Sequence, residues 1–308
     1  MTRKLLTGLL VAVILISLLE LLGTNPKQTY RDQVAVLMYH HVHDTDQSSS
    51  TVSSALFRDQ LSYLKKQGYT FISLSEFIRF YEGAPVPEKA VLVTFDDGYR
   101  SFYDYAFPIL KELDIPAVNF IVTQDLAAPD APSIPALSRE NIRELLGYRA
   151  GMFDVQCHSN ALHYKAGREG ALTGRLETGG GPENEAQYIE RVSQDSQACA
   201  QRLQELYGSP DAAKAYAYPF GIFSDTAKSL IRDAGFRYAF TIVSEMATRS
   251  SNPMEIPRIN AGNPSIKPEH LDKQIQLRVE RVHNRQGLDP SLYNSGTNVR
   301  YSHGMSRT

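Results

Sequence analysis

The chain reads as an α/β protein with a mainly parallel sheet, and three observations predict that class. Short apolar, β-branched runs alternate with stretches of helical spacing, the rhythm of repeated strand–helix units. Seven or so such units suggest a barrel or a doubly wound sheet. Polar residues able to do chemistry fall repeatedly just after the strands, where barrels carry their active sites. The composition agrees, with 308 residues, 42% hydrophobic and 21% charged, at a formal net charge of −2. Without a basic excess there is no basis for binding a phosphate backbone, so nucleic acid is excluded as a partner. The two cysteines, Cys157 and Cys199, imply no disulfide framework, although they could pair in an oxidising compartment.

Residues 1–24 begin with Arg3 and Lys4 and run apolar from Leu5 to Leu22, as a signal peptide or an uncleaved signal anchor does. No small-x-small cleavage site stands out before Pro26, so a retained anchor is expected. The membrane would then hold the chain through residues 5–22, with the rest periplasmic or at the cell surface; cleavage would make it secreted. The main domain is expected over residues 25–265.

Val34–Tyr39 is a buried strand that ends in His40 and His41, with His43 close behind. Leu56, Phe57, Gln60, Leu61 and Leu64 recur at helical spacing, and Gly68 stops that helix. After a short strand over 71–74, Ser75 is the expected N-cap of a helix reaching Tyr81. Val91–Phe95 is a strand, followed by a helix over 101–113 in which Pro108 should kink or interrupt the start. Strands are expected over 115–122, 153–157, 215–218 and 237–243, with helices over 139–146, 185–207 and 225–234. The long helix over 185–207 presents Ile189, Val192, Ser196, Cys199, Leu203 and Leu206 as a core-facing stripe, which makes Cys199 a small buried hydrophobe. Residues 164–183 hold six glycines and read as an exposed insertion loop. Residues 266–308 lose the β/α rhythm and are expected to form a peripheral helix and a flexible tail.

The strand over 91–95 stops on Asp96-Asp97-Gly98. Strand alternation would aim the two carboxylates at opposite faces, but Gly98 permits a turn that brings both to one site. Two such charges repel unless one is protonated, both meet cationic partners, or a metal binds. The metal is the economical answer. His158 and His163, five apart, would lie about 140° apart on a helix and on opposite faces of a strand, so they converge only if a loop follows the strand. Singly, Asp-Asp-Gly reads as a turn and either histidine as packing. Together they form an open site of two imidazoles and a carboxylate, suited to Zn²⁺ or another divalent ion. Cys157 should face away from that site and pack.

Thr94-Phe-Asp-Asp-Gly98 and His158-Ser…His163 resemble the first two motifs of the polysaccharide deacetylase family (NodB homology, carbohydrate esterase 4). The five-residue histidine spacing, Met38-Tyr-His40, Phe95–Tyr103 and Tyr218-Pro-Phe-Gly221 are similar to the poly-β-1,6-N-acetylglucosamine N-deacetylase branch. The likeness spans roughly residues 34–262. It implies a distorted (β/α)₇ barrel, and a hydrolase that removes N-acetyl groups from an N-acetylglucosamine polysaccharide. Asp97, His158 and His163 would hold the metal, Zn²⁺ first, with Co²⁺, Ni²⁺ or Fe²⁺ as alternatives. Asp96 would be the general base, His40 the acid for the leaving amine, and the Phe220 backbone N–H an oxyanion donor. His41 competes with His40, but strand alternation should aim it away. Where most of the family has an arginine two residues before the third-motif proline, this chain has Ala217. Another group must then orient Asp96, and Arg258 is the candidate. Exopolysaccharide export machinery is a candidate partner. Two further readings stand beside this one: a deacetylase of peptidoglycan or chitin oligomers, and a non-catalytic glycan-binding or export scaffold.

Overall fold

The computed structural model describes residues 29–166 and 169–286. The apolar stretch 5–22 and the tail beyond residue 286 lie outside the described residues. Among those described, no helix is long and apolar enough to cross a membrane.

Six parallel strands lie side by side in chain order. They are β1 (Gln33–Tyr39), β2 (Ala90–Phe95), β3 (Ala117–Val122), β4 (Phe153–Ser159), β5 (Ala215–Ala217) and β6 (Tyr238–Phe240). The sheet then curls back on itself. Phe240 bridges to Ile256, and β7 (Ile259–Asn260) pairs parallel with Leu37 and Met38 of β1. The expected barrel is therefore present, with seven strand positions and a thin seam between β6 and β7. The strands are short apolar runs buried on both sides, as parallel strands between two packed layers must be.

Alternation divides these strands between two cores. Val34, Val36, Leu92, Val118, Phe120, Ala217 and Phe240 fill the barrel interior. Ala35, Leu37, Val91, Val93, Val155 and Cys157 meet the surrounding helices. The helices are α1 (Ser54–Lys66), α2 (Leu74–Tyr81), α3 (Phe107–Leu113), α4 (Arg139–Tyr148), α5 (Glu185–Tyr207), α6 (Asp225–Asp233) and α7 (Pro268–Gln286). α2 joins the inner core: Leu74, Phe77 and Phe80 pack there, and Phe77 meets the Phe240 ring at 5.7 Å.

Several local expectations need correction. The N-cap of α2 is Ser73, not Ser75, because Ser73 and Glu76 form a reciprocal capping box. Pro108 sits in the first turn of α3, after a π-helical turn over Phe102–Ala106. Ile189 is 37% exposed, and its neighbour Tyr188 faces the core instead. The 164–183 segment is more than an exposed loop. It forms two small hairpins, buries Ala171 and Leu172, and is tied to α5 by Arg191, which binds Glu183 and the carbonyls of Ala171 and Gly174. Cys199 is fully buried as expected, but it is joined to Cys157 in a disulfide that fastens α5 to β4. α7 buries Leu271, Ile275 and Val279 against the core, and Tyr69 donates to its Asp272 at 2.7 Å.

Candidate active site

The site is built at the C-terminal rim of the barrel. β2 ends at Phe95, and Asp96 is the next inward-facing position after Leu92 and Thr94. Asp97 and Gly98 then take left-handed φ values of 74° and 72°. Aspartate tolerates that region better than most residues, and glycine enters it freely. The turn brings the second carboxylate round to the rim beside the first. Space is tight there as well, because a Cβ on residue 98 would lie 3.0 Å from the Ile121 side chain.

Asp97 Oδ1 lies 3.3 Å from His158 Nε2 and 3.1 Å from His163 Nε2. One donor atom from each residue falls within 4.8 Å of the others, so the trio can hold a metal ion. The tautomer of His158 sharpens this. Its Nδ1–H donates to the Ala217 carbonyl at 2.8 Å, so a neutral ring has only a lone pair at Nε2. That lone pair faces a carboxylate oxygen. Two acceptors at this distance need a cation between them, either a proton on His158 or a metal. Without a metal, burial works against the His158 proton, but Asp96 and Asp97 outweigh it and push the imidazole pKa up. Burial also opposes ionisation of Asp97, yet its two imidazole partners hold its carboxyl well below the usual range.

Asp96 has different company. Arg258, fully buried, forms a two-pronged pair with it, both N–H···O distances being 2.7 Å. The Arg258 Nε–H donates to the Thr241 carbonyl at 2.8 Å, which fixes the fork. Burial raises the Asp96 pKa, but Arg258, His158 and His40 together bring it below the ordinary value. A buried arginine thus reaches Asp96 from just before β7, while position 217 at the end of β5 is an alanine. His40 Nε2 lies 3.9 Å from Asp96 Oδ2, and its buried Nδ1 has no hydrogen-bond partner.

Phe220 follows β5 in a left-handed conformation, φ 58°, and its ring stacks on His163 at 4.7 Å. Gly221 behind it sits at φ 67°, and a Cβ there would run into the Ile242 side chain, so glycine suits the position. His41 points away from the site, as alternation requires. Its Nδ1 meets Ser101 Oγ at 2.7 Å and its Nε2 meets Asp46 Oδ2 at 3.0 Å. With His43 it forms a second His/Asp group within metal-holding distance.

A cleft of about 340 Å³ opens beside the trio, lined by Asp97, Tyr99, Gln124, Asp125, Ile134 and His163. Tyr99 and Asp125 escaped the reading from sequence. Tyr99 lies two residues beyond Asp97 in the same turn, and burial and Asp97 push its phenol pKa up. Asp125 follows β3, and burial raises its carboxyl pKa although His163 opposes the shift.

A family model described as polysaccharide deacetylase matches residues 83–239. The chain belongs to the polysaccharide deacetylase family. The matched stretch contains Asp96, Asp97, His158, His163 and Phe220, but neither His40 nor Arg258. Among known proteins, this deacetylase is similar to the poly-β-1,6-N-acetyl-D-glucosamine N-deacetylase of Staphylococcus epidermidis. They share 28% identity over 258 residues, 79% of this chain and 84% of the relative. The protein of the same name from Staphylococcus aureus is 26% identical over 224 residues, 73% of this chain and 71% of the relative. Among solved structures, IcaB from Ammonifex degensii matches at TM-score 0.65 and 26% identity, over 80% of this chain and 97% of that one. A de-N-acetylase from Aggregatibacter actinomycetemcomitans shares the fold at TM-score 0.70 and 23% identity, over 79% of this chain and all 100% of that one.

Proposed function

We propose that this chain is a metal-dependent N-deacetylase that hydrolyses the acetamide groups of an exopolysaccharide of the poly-β-1,6-N-acetylglucosamine type, releasing acetate. The observation that carries the reading is the convergence of one ligand atom each from Asp97, His158 and His163 within 4.8 Å, beside a second carboxylate already paired with Arg258. Two imidazole nitrogens and one carboxylate oxygen suit Zn²⁺ and leave coordination open, with Co²⁺, Ni²⁺ and Fe²⁺ as alternatives. A divalent ion held there would supply Lewis-acid polarisation of the acetamide carbonyl and a more acidic water.

Asp96, kept ionised and aimed by Arg258, accepts the proton of the attacking water. His40 gives a proton to the departing sugar amine. The Phe220 backbone N–H stands as donor to the oxygen that gains charge on the acetyl carbon. The names of the staphylococcal relatives support the choice of polymer. Location outside the cytoplasm is supported by the buried disulfide and by the apolar stretch 5–22, read as a membrane anchor. Export machinery for the polymer is the partner such a location favours.

The test is acetate release from β-1,6-linked and β-1,4-linked N-acetylglucosamine oligomers, with parent protein and Asp96→Asn, before and after chelation and metal return. The parent should prefer the β-1,6 oligomers and lose activity on chelation. Asp96→Asn should fall by about 10²–10⁴-fold, the span of a lost general base, while still binding metal. Preference for β-1,4 oligomers or peptidoglycan would redirect the substrate. Near-parental turnover by Asp96→Asn would remove the base.

A further inference from the structure

His158 and His163 are ligands only because the four residues between them double back, and something must hold that detour. Ser159 leaves β4 at φ 126°, a conformation side chains resist, and the β3–β4 register slips at the same point, between Ile121 and Val122. Asn160 ties one flank of the loop to the end of β3. Its carbonyl accepts from Gln124 N at 3.0 Å, and its side-chain oxygen accepts from Thr123 Oγ1 at 3.0 Å. The other flank is held from α5, by a carboxylate far along the chain.

We propose that Asp195 is a positioning residue of the metal centre, which sets the His163-bearing loop by gathering its backbone N–H groups. The inference rests on the reading of Asp97, His158 and His163 as a metal site. Asn160 N–H donates to Asp195 Oδ2 at 3.0 Å, and Ala161 N–H donates to Oδ1 at 2.6 Å. Asp195 is 6% exposed and sits on the buried stripe of α5 between Val192 and Cys199. A hydrophobe would be cheaper there, since burying a carboxylate costs several kcal/mol unless it is well bonded. What the carboxylate secures is the path of residues 160–162, the stretch that delivers His163 to Asp97. One turn further along the helix, Cys199 is bonded to Cys157, the residue before the other histidine ligand. One face of α5 is therefore tied to the chain next to both imidazoles.

The experiment uses metal-stripped full-length protein, with Co²⁺ titrated and followed by its visible spectrum, alongside thermal unfolding and steady-state kinetics. Asp195→Asn keeps the shape but turns an NH₂ toward the backbone donors, and Asp195→Ala removes the acceptor. Ser196→Ala, the next residue on the helix, controls for packing changes that do not reach the loop. Both Asp195 variants should bind Co²⁺ at least about tenfold more weakly, with an altered spectrum, and should lose kcat more than KM. Ser196→Ala should match the parent. Parental Co²⁺ affinity and spectrum in the Asp195 variants, even at a lowered Tm, would reduce Asp195 to a structural loop anchor and overturn the proposal. Should neither variant fold, amide exchange on the parent decides: protection at residues 160 and 161 that is already present before Co²⁺ is added supports a loop preset for the metal, and exchange at open-loop rates until Co²⁺ binds overturns the proposal. Co²⁺ binding that is unchanged in His163→Ala would show instead that the metal assignment itself has failed.

Discussion

Two corners of this molecule bring two histidines and an aspartate within hydrogen-bonding distance, yet their surroundings give them different chemistry. Around Asp97 the nitrogen–oxygen distances are 3.3 and 3.1 Å; around Asp46 they are 3.0 Å to His41 and 3.1 Å to His43. Distance alone does not separate them. At the second corner the buried contact, that of His41, closes without a cation. Ser101 can donate its hydroxyl proton to His41 Nδ1, so Nε2–H donates to Asp46. His43 Nδ1 accepts the Asp46 backbone N–H at 3.0 Å and so faces Asp46 Oδ1 as a second acceptor, but at the open end of the group, where water can screen the pair. At the first corner the Ala217 carbonyl takes the only proton of a neutral His158 and leaves two acceptors face to face. Exposure separates them too, with the Asp97 side chain 11% exposed and that of Asp46 52%. A donor census read together with burial is therefore a better guide to a candidate metal site than a cluster of ligand-forming residue types.

The largest effect expected from this contrast comes from deleting one imidazole at each corner. His163→Ala should abolish acetate release and weaken metal binding by more than about 10²-fold, the upper range even for a lost supporting partner. His43→Ala should leave stoichiometry and affinity unchanged in the same equilibrium dialysis. A second ion lost with His43 would erase the distinction.

Arg258→Met tests whether the neighbouring carboxylate has its own counter-ion. It leaves Asp96 buried without its partner, which should cost about 3–5 kcal/mol in chemical denaturation. The sign of the pH effect follows from the lowered Asp96 pKa. That carboxylate contributes stability near neutral pH, and the contribution disappears as pH falls through the lowered value. Without Arg258 the pKa rises, so the acid limbs of stability and of kcat/KM should both move to higher pH. Unmoved limbs would show that Arg258 does not act through Asp96.

The smallest effect is a pH dependence of metal binding. In metal-free protein the His158 pKa lies above its ordinary value, so an entering ion must displace a proton. Apparent affinity should fall by about tenfold per pH unit below that raised pKa. Stability of the metal-free form runs the other way. The His158 contribution is fully present below about pH 6.5 and is lost as pH rises through the raised value. Metal affinity that stays flat across this range would mean that no proton occupies the gap.

How far the sequence could be read depended on how local the signal was. Apolar runs ending in Asp96-Asp97-Gly98 and in His158 placed both halves of the centre on strand ends, because a strand and its exit turn are local features. Arg258 could be named as a candidate from the gap at Ala217, but its fork onto Asp96 depends on the β7 segment folding back beside β1. The pairing of Cys157 with Cys199 and the grip of Asp195 on residues 160 and 161 depend on how α5 docks, which no short window of residues encodes. Tyr188 and Ile189 show the same limit: both suit a buried stripe, and only the docking angle of α5 selects Tyr188.

With only two cysteines in the chain and both in the crosslink, a single molecule has one possible disulfide pairing. Maturation outside the cytoplasm would thus require an oxidant but no reshuffling of wrong pairings within the chain, even though the bond forms late in sequence, across 42 residues.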